Sequence, residues 1–389
     1  MVFADLHIHI GQSLDGKCVK VTGAKSLTLP NIIHIAREVK GLSLVGIVDS
    51  HSPSVQGDYK ALLASGDMKP LSSGGYSCKG LVLVPGHEIE LQVGEGNAHL
   101  LAYFPYIEQV EQYVRSIKNC IKNWQLSTQK GYLPIDLWLE AVSQAEGIWF
   151  PAHVFTPHKG IYGNCCRRLR DVLPTLPNAI EIGLSADRSM AESVSELDSM
   201  VMFSNSDAHS LPNIAREYNS FTRTDLSFGG LLDLVSRKTK GVIQNYGLPP
   251  KIGKYHRTYC LTCEKVVPNP APQLTCPRCG SRQVVMGVLD RLLSIADRPI
   301  GKHDVSTYVH QVPLRQLPGI GTKMYERLLK AFGTEMAIMH QVEFEELQSI
   351  AGEKVAAWII KARHGELVVD AGGGGLFGRV VDILSYPME

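Results

Sequence analysis

Apolar and polar residues alternate at the very start of the chain. In VFADLHIHI, Leu6, Ile8 and Ile10 fall on one face of an extended segment and Asp5, His7 and His9 on the other. Short apolar stretches that end in polar residues recur over the first 240 or so positions: LSLVGIVDSH, LVLVPGHEIEL, HLLAYF, GIWFPAHVF, AIEIGLS and VMFSNSDAH. Between them, NIIHIAREVK, EQVEQYVRSIKNCIKNW, PIDLWLEAVSQAE and FGGLLDLVSRK repeat their apolar positions at helical spacing. Alternating strands and helices predict an α/β fold with a parallel sheet, and about seven such units predict a distorted β/α barrel. The active site of such a barrel belongs at the C-terminal ends of its strands.

After Lys240 the pattern breaks. NYGLPPKIGKYHRT, with two prolines and two glycines, reads as a linker or an extended packing arm. CLTCEKVVPNPAPQLTCPRCG follows, then a stretch from about Met286 to Arg363 that reads as all-helical, and the Gly-rich DAGGGGLFG as a flexible or tightly turned tail. The expected organisation is therefore a catalytic domain over residues 1–245, a linker with a cysteine-rich module over 246–285, and a helical domain over 286–389.

Composition narrows the class. The 389 residues are 44% hydrophobic and 20% charged, no run approaches the length of a membrane span, and the N-terminus lacks the charged and apolar blocks of a signal peptide. The expected location is the cytoplasm, with no membrane partner. There, nine cysteines point to reduced thiols or metal ligands rather than disulfides. The net charge of +1 is unevenly spread: from Lys251 to Lys330, thirteen Lys and Arg face five Asp and Glu, a surplus of eight. A basic segment on a mildly acidic body suits a nucleic-acid-binding appendage.

Candidate metal ligands stand at nearly every strand end: His7 and His9, Asp49 and His51, Glu88, His99, His153, and Asp207 with His209. Imidazoles and carboxylates in such numbers are what zinc, manganese or iron selects, and two imidazoles two apart on a strand point the same way. Cys260, Cys263, Cys276 and Cys279 form two C-x2-C knuckles, the pattern of a closed structural zinc site. The other five cysteines read as packing residues. In LRQLPGIGTKMYERLLKAFG, Pro318 ends one helix, Gly319 and Gly321 make a tight turn, and the next helix carries an apolar face.

The motifs DLHIH, IVDSH, GHEIE, NAHLL, PAHVF and SDAH together resemble the polymerase and histidinol phosphatase (PHP) metal-dependent phosphoesterases over residues 1 to about 240. The resemblance implies a seven-stranded distorted β/α barrel holding up to three metals. His7, His9, Glu88 and Asp207 would share one metal, and Glu88, His99 and His153 a neighbour, with Asp207, Glu88 and His153 as the catalytic residues. The family pattern departs at the third position. The turn reads SLDG, with Asp15 displaced by one, and Asp49 and His51 stand apart where the family has adjacent Asp and His, leaving His209 as the remaining ligand. The cation would be Zn2+, with Mg2+ or Mn2+ as alternatives at the catalytic centre. His158 and Lys159 in FTPHKGIYG are possible phosphate contacts.

LPGIG followed by a basic residue resembles the helix-hairpin-helix motif, in which amides at a helix N-terminus grip a DNA phosphate. That reading makes Gly319, Gly321 and Lys323 DNA contacts, and SIAGEKVAAWIIKAR a degenerate second copy. A PHP barrel, a four-cysteine zinc ribbon and a helix-hairpin-helix in this order, with GKYHRT before the first knuckle, resemble the endonuclease Q family across nearly the whole chain. The resemblance implies an endonuclease that hydrolyses the phosphodiester 5′ of uracil, hypoxanthine, xanthine and abasic sites in single- or double-stranded DNA. Tyr76 and Tyr162 are candidates for its base pocket. A small-molecule phosphatase of the histidinol phosphate type is the alternative that the barrel alone equally permits, but it leaves the ribbon and the basic segment unexplained. A DNA-binding scaffold with a degenerate metal site is the alternative from another class. A sliding clamp is a conceivable partner for which the C-terminus offers no clear recruitment peptide.

Overall fold

Strand β1 runs Val2–Ile8, and all of it after Val2 is buried. Ala4 and Leu6 join an apolar core with Val84, Leu101, Phe150 and Phe203. Asp5, His7 and His9 are also fully buried, so each needs a polar partner. Asp5 finds its partners in backbone amides, accepting from Ser206 N at 3.1 Å and Ala215 N at 2.9 Å. It thereby fixes the segment that carries Asp207.

This computed structural model describes residues 2–222, 225–237, 243–267 and 270–381. The chain divides into two units. The first comprises Met1–Val154, His158–Glu181 and Ser199–Ile243; the second comprises Phe155–Pro157, Ile182–Asp198 and Gln244–Glu389.

The first unit is the distorted α/β barrel of the PHP type. Strand β1 pairs in parallel with β2, Leu44–Ile47, and β2 with β3, Leu81–Val93. Strand β3 pairs with β4, Gly96–Tyr103, and β4 with β5, Ile148–Pro151, both antiparallel. Strands β6, Ala179–Glu181, and β7, Val201–Phe203, form a parallel pair. Val154 N donates to Glu181 O at 2.9 Å, linking the end of β5 to β6. A parallel bridge between Ile8 and Ala208 returns the chain beyond β7 to β1. An eighth strand, β8, Tyr218–Phe221, flanks β1 antiparallel. The barrel is thus mixed rather than parallel throughout. The reason is local: Val93 and Gly96 pair directly across a two-residue turn, and a connection that short permits only an antiparallel partner.

Helices Pro53–Ser65, Ile107–Ile117, Ile135–Gln144 and Phe228–Val235 serve this unit. The helix expected over NIIHIAREVK is a short α-helix, Leu29–His34, that widens to a π-helix, Ile35–Lys40. One glycine is required by the packing. A Cβ on Gly46 would lie 2.3 Å from Leu6 O and 2.8 Å from the Tyr103 ring, whose hydroxyl donates to Leu6 O at 2.6 Å.

In the second unit Tyr259–Cys260 is the central strand of a three-stranded ribbon, antiparallel to Lys265–Val266 and Val284–Val285. Buried Asp290 ties the ribbon to the helix Val288–Ile295, accepting from Thr258 N at 2.9 Å, Gln273 N at 2.7 Å and Arg257 Nε at 3.0 Å. Arg257 belongs to the GKYHRT stretch, so that run is structural. The region from Met286 is not all-helical: Tyr308–His310 forms a strand parallel to residues 245–247 of the expected packing arm. The helix expected before Pro318 is a single 3-10 turn, Leu314–Gln316. Four helices follow, Thr322–Phe332, Glu335–His340, Phe344–Ala351 and Glu353–His364. The glycine-rich tail is tightly turned, with Gly372 N donating to Lys251 O and Gly378 N to Ile252 O. Among the described residues, no helix is long and apolar enough to cross a membrane.

Candidate active site

The strand ends of the first unit bring four donor groups to one point. His7 Nε2 lies 3.3 Å from His9 Nε2, 3.4 Å from Glu88 Oε1 and 3.5 Å from Asp207 Oδ1. His9 Nε2 lies 3.4 Å from both Glu88 Oε2 and Asp207 Oδ1. A tetrahedral ion with bonds of about 2.0–2.2 Å requires donor separations of about 3.3–3.6 Å. The His7–His9 separation, the contacts of both imidazoles with Asp207 Oδ1, and those of His7 with Glu88 Oε1 and of His9 with Glu88 Oε2 all fall in that range, so the residues present fit a metal. Beside it, Glu88 Oε1, His99 Nδ1 and His153 Nε2 form a triangle with sides of 3.0, 3.4 and 3.2 Å. Glu88 belongs to both groups.

Three residues here have backbones in the left-handed region: Thr128 at φ 51°, His153 at φ 30° and Asp207 at φ 46°. None is glycine, so each costs about 1–3 kcal/mol that the surrounding contacts must offset. At Asp207, Arg216 Nε donates to Ser206 O at 2.7 Å and His209 Nδ1 to Asp207 O at 2.9 Å. At Thr128, the hydroxyl donates to Glu88 Oε2 at 2.6 Å.

The electrostatics follow from burying so many charges together. Burial alone would raise the carboxyls of Glu88 and Asp207. The imidazoles prevail, His99 and His7 together with Lys20 at Glu88 and His7 first at Asp207, and both carboxyls lie well below their ordinary values. Burial opposes the charge on His99, yet Glu88 holds it at about 9. His209 goes the other way, its burial outweighing Asp207 and taking it to about 4. The site is built to keep its carboxylates ionised, the state a cation requires.

Other expected ligands lie elsewhere. Asp49 Oδ2 is behind His9, 3.0 Å from Nδ1 and accepting from Ile10 N at 2.8 Å. His51 Nε2 donates to Leu126 O at 3.1 Å, and its ring lies against His87. Asp15 is exposed and pairs with Lys17 at 2.6 Å. Of the third set only His209 reaches the cluster, beside His9 and Asp207. Lys159 pairs with Glu90 at 2.7 Å, and His158 is exposed. Tyr76 and Tyr162 are both buried in the core and offer no face to a base.

Sequence reasoning passed over three contributors. Glu181 Oε2 lies 3.0 Å from His7 Nδ1, and the same carboxylate accepts from His153 N and Asn205 Nδ2. A glutamate inside the apolar strand AIEIG was the available signal. Lys20 and Thr128 lie in loops, where no periodicity marks them.

In the second unit the cysteine sulfurs pair at 3.8 Å, Cys260 with Cys279, and 3.9 Å, Cys263 with Cys276. Four thiolates about 2.3 Å from a tetrahedral zinc would be separated by about 3.8 Å. Of the remaining cysteines, Cys78 and Cys165 are buried and Cys18 is exposed. Gly319 adopts φ +83°, and Gly321 caps the helix Thr322–Phe332 with Lys323 exposed in its first turn. Gly352, at φ +82°, likewise caps the helix Glu353–His364.

No protein-family model matches the chain. The chain is 39% identical over 384 residues to YqxK of Bacillus subtilis, covering 97% of this chain and 99% of that protein. It is 32% identical over 247 residues to MJ0043 of Methanocaldococcus jannaschii, covering 58% of this chain and 31% of that protein. Among solved structures it is similar to the lesion-specific endonuclease PfuEndoQ of Pyrococcus furiosus, with 29% identity and a TM-score of 0.82 over 100% of this chain and 97% of that one. It is also similar to endonuclease Q in complex with a 27-mer duplex bearing an abasic lesion at its active site, with 29% identity and a TM-score of 0.80 over 97% and 96% of the two chains.

Proposed function

Since the chain belongs to the endonuclease Q family, we propose that it nicks DNA on the 5′ side of deaminated bases and abasic sites, using the donor cluster of the first unit to hold its catalytic cations. The observation that carries this reading is the buried cluster in which His7 and His9 each approach Glu88 and Asp207, with Glu88 shared by His99 and His153.

Cations held by these residues would supply a bound water of lowered pKa and would offset charge on a phosphoryl oxygen. The chain's own residues prepare that chemistry. Glu88 Oε1 faces His7, His99 and His153, and its Oε2 faces His9. Glu181 and Asp49, placed on the Nδ1 atoms of His7 and His9, turn both Nε2 atoms toward the cluster. Nitrogen and carboxylate donors in this mix suit Zn2+, and Mn2+ or Mg2+ are the alternatives.

The second unit supplies the grip on DNA. Exposed amides beyond Gly319 and Gly321 meet phosphate, Lys323 adds charge, and neither reads sequence. Selectivity then lies in the base. A damaged or missing base unstacks at lower cost, and deamination replaces an amine with a carbonyl that can accept from N–H donors.

The test is cleavage of an end-labelled duplex with a single uracil or abasic site, beside an undamaged duplex, with zinc, manganese or magnesium added. A nick 5′ of the lesion with the control intact is expected. An uncut lesion duplex, with phosphate released from a simple monoester, would overturn the reading in favour of a small-molecule phosphatase.

A further inference from the structure

Of the third-site ligands expected from the sequence, only His209 reaches the cluster, beside His9 and Asp207. Asp15 is outside on Lys17, Asp49 is behind His9, and His51 is on a backbone carbonyl. A cationic side chain reaches the cluster instead. Lys20 Nζ lies 3.1 Å from His9 Nε2, 2.8 Å from Thr128 Oγ1 and 3.6 Å from Glu88 Oε2, with its side chain only 11% exposed.

Its position is built rather than incidental. Lys20 N donates to Ile10 O at 3.0 Å and Val19 N to Gly11 O at 3.0 Å, folding the loop back along the end of β1. Ser127 N donates to Val19 O at 2.8 Å, which joins the Lys20 loop to the loop of Thr128. Thr128 holds a β-branched residue at φ 51° while its hydroxyl joins Lys20 to Glu88. Strain of that kind persists where surrounding contacts over-determine it, and such places are commonly functional.

We infer that Lys20 is a catalytic residue, its ammonium contacting a non-bridging oxygen of the scissile phosphate. The inference rests on the nuclease reading above. An ammonium has three N–H donors. Thr128 takes one, and His9 Nε2, the atom turned toward the donor cluster, takes another. Because His9 Nε2 is among the atoms that would hold a cation, that second donor would then be available to the substrate. Lysine is suited to the task as a compact point charge, and a preorganised positive group aimed at developing phosphoryl charge needs no rearrangement during reaction. No bond to Lys20 forms or breaks.

The experiment compares wild type, Lys20→Met and Lys20→Arg as metal-loaded full chains. Incision of an abasic duplex, metal content, and the affinity for inorganic phosphate by calorimetry are measured together. For Lys20→Met, kcat is expected to fall about 100- to 1,000-fold, with KM for the duplex and metal content unchanged and phosphate binding weakened. Lys20→Arg should recover part of both. Wild-type kcat in Lys20→Met, or a loss that tracks lost metal, would overturn the inference by making Lys20 a spectator or a support for Glu88. If wild type incises no lesion, the nuclease reading fails. The phosphate affinities then decide Lys20 alone, and equal values in wild type and Lys20→Met would overturn it.

Discussion

Glu181 stands directly behind His7, its Oε2 3.0 Å from Nδ1, and so dictates which ring nitrogen faces the donor cluster. The pair is fully buried. Burial disfavours charge on His7, but Glu181, then Glu88 and Asp207, raise it above its ordinary value. A carboxylate behind a ligating imidazole raises its basicity and fixes its tautomer, and losing such a partner typically costs about 10- to 100-fold in metal affinity. Glu181→Gln is therefore expected to weaken active-site metal binding by that factor. Incision at limiting metal should fall with it and recover with excess metal. Unchanged affinity in a metal titration would remove Glu181 from this role.

Asp207 differs in kind because its own Oδ1 lies 3.5 Å from His7 Nε2 and 3.4 Å from His9 Nε2, inside the donor cluster. Asp207→Asn keeps the shape, removes the charge, and leaves the second unit untouched. Incision should fall by more than the roughly 100-fold expected for a supporting residue, while binding to intact DNA persists. Retained incision would show that Asp207 is not a ligand.

Much of this cluster was legible because candidate ligands at the ends of strands inherit the strand's periodicity. The alternation of DLHIH orients His7 and His9 together, and Glu88, His99 and His153 each follow or interrupt an apolar run. What lay hidden came from loops. Lys20 and Thr128 meet only because the backbone of residue 19 accepts from residue 127, a pairing with no local signature. Asp49 and His51 show the converse: residue type and strand-end position mark them as ligands, but both are occupied by other partners. In the fold, alternation identified the strands but not their direction. That direction turned on the two-residue connection between β3 and β4. The strand at Tyr308 was missed because its partner lies some sixty residues earlier in the extended arm.

The ribbon has little else to hold it: its small core is Cys260, Val267 and Cys276, with Cys263 and Val284 packed against them. A closed thiolate site in so small a module contributes its binding energy to folding. Replacing Cys260 and Cys263 with Ser should remove one zinc per chain and lower the thermal stability of the second unit. Metal analysis and calorimetric unfolding report the two effects, and an unchanged zinc count would refute the assignment.

His340 ends the helix Glu335–His340, with Tyr246 edge-on to its ring at 4.8 Å. Burial, and secondarily Arg363, lower it to about 3. The unfolded chain therefore binds a proton near pH 6.5 that the folded unit refuses until about pH 3. The stability it contributes is fully present above pH 6.5 and is lost as the pH falls through that window. His340→Phe should flatten the acid limb of the unfolding curve, and an unaltered slope between pH 6.5 and 4 would contradict this account.

The two hairpin glycines permit a sharper test of DNA binding than replacing both. Gly319 is at φ +83°, and a Cβ there would meet Val355 at 3.0 Å, so its substitution strains the fold as well as the surface. Gly321 has an ordinary φ of −77° and nothing within 4 Å of its Cβ position. Gly321→Val therefore leaves the hairpin folded but places a branched side chain at the helix N-terminus, where a phosphate would approach the amides. A lost phosphate contact weakens binding to all DNA alike and reduces the slope of log affinity against log salt by about 1. Binding isotherms for damaged and undamaged duplexes at several salt concentrations measure both. A defect confined to one lesion, or an undiminished salt slope, would move the phosphate contact away from this turn.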